Sequence, residues 1–139
     1  MTRGKTPSQE LYLNQALEFI QQNNYKQAIK ILVKLIDDKS SNRINCSLWL
    51  AICYRKTGKH IEALQLLNML LKESPKNYEA LTCRCKIFIR LNRYDEALKD
   101  IETCISIDQN KGLAHVVKGD CLRMKQEFKA ALDCYDKAL

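Results

Sequence analysis

The chain has 139 residues, a formal charge of +7 and 46% hydrophobic side chains, with seven cysteines, four glycines and two prolines. A chain of this length makes one domain, and its apolar fraction suffices to bury roughly two-thirds of the unfolded surface, which excludes an intrinsically disordered protein. So little Gly and Pro excludes collagenous and low-complexity chains, disfavours an all-β protein that needs frequent turns, and favours helices.

No apolar run approaches the roughly 18 residues that span a bilayer, and Met1 to Glu10 lacks the apolar segment of a signal peptide. The expectation is a soluble, unsecreted protein of the cytoplasm, with the nucleus as the alternative. The odd cysteine count excludes complete intramolecular pairing and fits reduced thiols. Cys83 and Cys85, the closest pair, sit two residues apart, so on a helix they point roughly 200° away from each other and cannot share a metal ion. His60 and His115 supply no second ligand pair, and the cysteines read as small apolar residues; no cofactor or metal is expected.

In chain order, Thr6-Pro7-Ser8-Gln9 predicts a helix start, with Thr6 as N-cap, Pro7 in the first turn and Gln9 closing a capping box; residues 1–5 form a short basic tail. Four similar segments follow: Asn24 to Ala28, Lys59 to Ala63, Arg93 to Ala97 and Glu127 to Ala131, their alanines spaced 35, 34 and 34 residues apart. Each reads as a turn entering a helix, with helical apolar spacing on both sides, such as Leu48, Ala51, Ile52 and Tyr54 before and Ala63, Leu66, Leu67 and Leu70 after. The unit is two antiparallel helices, repeating with a fixed period.

Residue size within the period has a packing reason. Ala28, Ala63, Ala97 and Ala131 recur twelve residues after Ala16, Ala51, Cys85 and Gly119, so small meets small where two helices cross. Phe19, Tyr54, Phe88 and Leu122 fill the adjoining space, and the rings of Tyr25, His60, Tyr94 and Phe128 are expected to wedge into the turns.

With Leu50, Ala51, Tyr54, Gly58, Ala63 and Pro75 in place, the segment from Ile44 to Asn77 resembles the tetratricopeptide repeat, and the likeness extends over residues 9–139. The repeats are 9–43, 44–77, 78–111 and a shortened 112–139 within a domain of residues 6–139. Ser47 and His115 stand where a bulky residue is expected, and Arg84 and Lys118 where a Leu is expected. The resemblance implies an all-α, right-handed superhelical solenoid whose first helices line a concave groove. The related pentatricopeptide repeats, which read RNA, fit the small-residue spacing less well.

In that register the groove carries a basic strip of Arg55, Lys56, Lys86, Arg90 and Arg123 beside Leu48, Ile52, Ile89 and Val116. The complement is an acidic or amphipathic peptide or helix of a partner protein. The opposing view is that cations at helix C-termini merely suit the helix dipole. The carboxylate clamp of chaperone-adaptor members is missing: its sites carry Leu13, Leu17, Trp49, Glu79 and Cys83 in one register and Leu48, Ile52, Cys83, Leu113 and Val117 in the next.

The function expected is therefore a non-enzymatic scaffold or adaptor, with RNA binding through the basic groove as the alternative. The excess charge lies in the first two repeats, +3 each, against 0 and +1 later, without a long basic run or stacking platform, which disfavours nucleic acid. No phosphate loop or nucleophile-base pair is present. Asp37-Asp38 and Asp95-Glu96 read as capping or solvating residues, while Cys46 and Cys134 are expected to be partly exposed. The end at Ala138-Leu139, inside the last helix, reads as a fragment of a longer array, the rival being self-association through Leu132, Tyr135 and Leu139.

Overall fold

The computed structural model describes residues 7–37 and 43–139, and among them lie eight helices and no strand. They are α1 (Pro7–Gln21), α2 (Tyr25–Asp37), α3 (Arg43–Lys56), α4 (His60–Glu73), α5 (Tyr78–Arg90), α6 (Tyr94–Ile107), α7 (Gly112–Met124) and α8 (Phe128–Ala138). The all-α class expected from the repeat is the observed one. Pro7 opens α1, where its missing N–H costs nothing; the expected cap Thr6 and the tail 1–5 lie outside the described residues. No helix among the described residues is long and apolar enough to cross a membrane. The chain forms two compact units, one ending at Lys72 and one starting at Glu73, and each is taken by itself.

Each helix pair reverses through the same device. Asn23, Gly58, Asn92 and Gln126 adopt positive φ angles of 59°, 83°, 59° and 65°. The amide after each donates to a carbonyl five residues back: Asn24 to Phe19 at 2.7 Å, and Lys59 to Tyr54, Arg93 to Phe88 and Glu127 to Leu122 at 2.8 Å. The left-handed residue's own amide donates three residues back, as from Asn92 to Ile89 at 3.0 Å. These bonds satisfy carbonyls that the helix end would leave open. In the first and third turns the ring fastens the turn as well, because Tyr25 and Tyr94 donate their hydroxyls to Asn23 Oδ1 and Asn92 Oδ1 at 3.0 and 2.8 Å. The fourth turn departs from expectation: Phe128 is 59% exposed rather than wedged.

The small residues are buried as expected: Ala16, Ala28, Ala51, Ala63, Cys85, Ala97, Gly119 and Ala131. In the first unit Ala16, Ala28, Leu32, Leu35, Cys46, Leu50 and Cys53 form one core, with Phe19, Trp49 and Leu66 packed on it. In the second, Cys85 Sγ lies 3.3 Å from the Ala97 carbonyl, an approach a larger residue at 97 would block. Tyr78 meets Cys104, Arg84 meets Asp100 and Cys85 meets Ala97, so numbers fall along α6 as they rise along α5 and the two run antiparallel. The α7–α8 crossing is closed differently. A Cβ at Gly119 would fall 2.6 Å from Tyr135 Cε1, so this glycine receives a ring, and Tyr135 then donates to Asp120 at 2.5 Å.

The unexpected Arg84 has a structural reason. Its Nε and Nη2 donate to Asp100 Oδ2 and Oδ1 at 2.7 and 2.6 Å, and Asp100 is only 4% exposed. Copies one, two and four place Ile31, Leu66 and Cys134 at the position of Asp100, so a buried carboxylate here is tolerated through the bidentate guanidinium. The other departure, Lys118, reaches Glu102 on α6 at 3.7 Å.

Two stability tests follow from the geometry. Gln126→Gly removes left-handed strain and is expected to stabilise by about 0.5–1 kcal/mol, while Gly58→Ala loses about 1 kcal/mol, both read from urea unfolding midpoints. Arg84→Leu strands the Asp100 carboxylate and is expected to cost roughly 2–4 kcal/mol, whereas Arg84→Leu with Asp100→Leu recovers most of it. A double variant as unstable as the single one would show that the pair does more than neutralise charge.

Candidate functional site

In the first unit Leu48, Ile52, Arg55 and Lys56 fall on one face of α3, at helical spacings of four, seven and eight. Leu48, Ile52 and Arg55 are half-buried and Lys56 is exposed. The Arg55 Nε is itself buried and faces no acceptor among the described residues. In the second unit α5 brings Lys86, Ile89 and Arg90 to one face, with both cations exposed and Ile89 half-buried. Val116 and Arg123 lie two turns apart on α7, half-buried and exposed respectively.

Charge pairing separates these cations. In the second unit Arg84 pairs with Asp100, Arg93 with Glu96, Lys118 with Glu102 and Lys125 with Asp95. Lys111 sits 3.8 Å above the Tyr78 ring instead. Lys86 and Arg90 have no carboxylate partner among the described residues. Arg123 is partly engaged: it acts on the Tyr135 hydroxyl, whose acidity is weakened chiefly by its bond to Asp120, with Arg123 pulling the other way. Asp95 and Glu96 are solvent-exposed, as expected, and each also meets a cation. Beyond the predicted strip, Lys26, Lys30 and Lys34 are exposed one turn apart along α2, a basic row the repeat register did not single out.

A separate cleft of about 300 Å³ opens in the first unit between α2, α3 and α4, its lining including Val33, Ile36, Tyr54, Leu66 and Met69 together with Glu62 and Gln65. None of the predicted strip residues lines it. Its only signal in the sequence is a pair of large apolar residues, Val33 and Met69, at exposed positions of second helices.

All seven cysteines are free and buried, which corrects the expected partial exposure of Cys46 and Cys134: both lie on helix faces turned into their own core clusters. Burial pushes the Cys53 thiol up to about 11, and Cys104 likewise, with Asp100 adding to the burial effect. Cys85 is raised further, by its contact with Cys121 and by burial. These thiols stay neutral and unreactive at ordinary pH. Alkylation of Cys53 and Cys104 in the native chain at pH 8 is expected to run about two orders of magnitude slower than in urea. Because the folded thiols titrate above the unfolded ones, their contribution to stability is complete below about pH 9 and lost as pH rises toward 11. A melting temperature flat across pH 9–11 would contradict this.

Repeated helical hairpins with small-residue crossings and left-handed turns define a tetratricopeptide-type helical-repeat protein. The family model described as anaphase-promoting complex, cyclosome, subunit 3 matches residues 21–104, and the chain belongs to that family. It is 34% identical over 82 residues to the mitochondrial fission 1 protein of Debaryomyces hansenii, covering 57% of this chain and 54% of that one. It is 27% identical over 84 residues to the Hsp70-Hsp90 organizing protein of Triticum aestivum, covering 60% of this chain and 14% of that one. The chain thus spans about half or less of these relatives. Among solved structures, MamA of Desulfovibrio magneticus superposes with a TM-score of 0.87 at 16% identity, over 97% of this chain and 76% of that one. A tetratricopeptide repeat protein of Parabacteroides merdae gives 0.84 at 21%, over 95% and 52%. At such identities the likeness establishes the fold.

Proposed function

We propose that this chain is a non-enzymatic protein-interaction scaffold whose first helices hold acidic, amphipathic segments of partner proteins. The observation that carries the reading is the contrast within the second unit: Arg84, Arg93, Lys118 and Lys125 each meet a carboxylate, while Lys86 and Arg90 stand exposed beside Ile89 without one. Unpaired cations beside an apolar side chain are what a carboxylate-bearing, partly apolar peptide complements. The α3 face, with Arg55 and Lys56 beside Leu48 and Ile52, has the same chemistry. The likeness to the Hsp70-Hsp90 organizing protein does not bring a chaperone-tail clamp to this reading, because Cys83, at one clamp position, is buried here.

Titration with a synthetic peptide alternating Glu and Leu, followed by Trp49 fluorescence and calorimetry, tests the reading. Arg55→Glu with Arg90→Glu is expected to weaken binding more than about tenfold, with the helical circular dichroism unchanged. A shallow salt dependence accompanies peptide binding, whereas a steep one with oligo(U) RNA as ligand marks a phosphate-binding protein. Unchanged peptide affinity in the double variant would place the site elsewhere.

A further inference from the structure

The seam between α6 and α7 is bridged by charge: Asp95 meets Lys125, and Glu102 meets Lys118. Two repeats earlier the same positions on α2 and α3 are Lys26 with Thr57 and Val33 with Leu50, and neither couple can form an ion pair. Thr57 donates its hydroxyl to the Cys53 carbonyl at 2.9 Å instead. Where α8 carries Asp133 and Lys137, α4 carries Gln65 and Met69. The repeat therefore accepts charge along this seam, and packing does not call for the apolar side chains that line the cleft of the first unit. Val33 is 40% and Met69 57% exposed there, above the buried Leu50. Apolar side chains grouped in a cleft without a packing reason mark a docking surface.

Charge selects the occupant. Lys26, Lys30 and Lys34 stand exposed every four residues along α2, beside the cleft, and none meets a carboxylate among the described residues. A helix laid along α2 presents the acids of one flank at that same spacing. At about 300 Å³ the cleft is at the small end of ligand sites and takes side chains rather than a cofactor. An extended peptide finds no strand edge to pair with among the described residues. A flat anionic bilayer would leave the hollow unfilled and press on the Glu62 carboxylate. We propose that this cleft docks an amphipathic helix of another protein, its apolar side chains seated on Val33, Leu66 and Met69 and its acidic flank facing Lys26, Lys30 and Lys34. Leu50 and Tyr54 lie roughly 200° around α3 from Leu48 and Ile52, so this site is separate from the first-helix face and is filled independently of it.

Methyl NMR of the 139-residue chain tests this, because its three methionines, Met1, Met69 and Met124, place one reporter in the cleft and the others outside it. The probe is a synthetic helix of about 20 residues with Leu at one-turn spacing, Glu along one flank and Gln elsewhere. The Met69 methyl is expected to shift saturably while that of Met124 stays in place. Val33→Glu is expected to abolish the shift, and Lys26→Glu with Lys30→Glu to weaken binding about tenfold, with melting curves as the control for folding. A probe with Lys in place of Glu reverses the preference and favours the doubly substituted chain. Arg55→Glu with Arg90→Glu leaves the Met69 titration within about twofold, which separates this site from the first-helix face. No Met69 shift up to about 1 mM probe overturns the proposal, as does a shift indifferent to Val33→Glu or to charge reversal, or one lost with Arg55→Glu and Arg90→Glu. Met69 responding to phosphatidylserine vesicles and not to the probe overturns it in favour of a membrane surface.

Discussion

The close approach of two helices within each repeat is the constraint on which the remainder depends. A helix can return along its predecessor after three residues only if the backbone passes through a left-handed conformation and the two cylinders meet without bulky side chains between them. Asn23, Gly58, Asn92 and Gln126 meet the first condition, and the buried alanines from Ala28 to Ala131 the second. Where the close contact is tightest the side chain has vanished altogether, as at Gly119 beneath the Tyr135 ring. Each hairpin then presents one face inward and one outward, and the outward face is the freer to vary.

Variation inside the packed faces occurs by compensation. Asp100 is a charge at a position that is apolar in the other copies, and Arg84 is its counterpart at a position where Leu50 stands one repeat earlier. Neither substitution is tolerable alone in a packed helix pair, and together they make a bidentate bond whose remaining guanidinium surface leans on the Phe88 ring, 5.8 Å from its centroid. The cysteines are the opposite case. All seven fill buried space as small side chains, and burial keeps the thiols of Cys53 and Cys104 protonated.

Charge on the outward faces falls into two kinds. Lysines and arginines that meet carboxylates across neighbouring helices contribute to holding those helices in register, as Lys118 and Lys125 do for α7 on α6. Lys86 and Arg90 stand exposed and meet no carboxylate within the described residues. The same distinction applies to apolar side chains: Leu98 of α6 packs on Leu122, Ala131 and Cys134, whereas Leu132, its counterpart on α8, is exposed.

The amino-acid sequence by itself determined the period, the helix pairs and the small crossing residues, because these repeat at fixed spacing and each needs a residue type that few others can replace. It also located the cations of α3, α5 and α7. It did not show which charges are engaged: Arg84 and Lys118 looked like blemishes in a pattern, and Asp95 and Glu96, exposed as expected, gave no sign of the cations they meet. Apart from Arg93 and Glu96, which stand three residues apart, the partners lie on other helices, at separations of 16 and 30 residues for Asp100 and Lys125, and local periodicity carries no information about which charge stands opposite which. The burial of Cys46 and Cys134, the exposure of Phe128 and the cleft between α2 and α4 were likewise decided only by tertiary packing, since each depends on what a neighbouring helix covers and not on the residue itself.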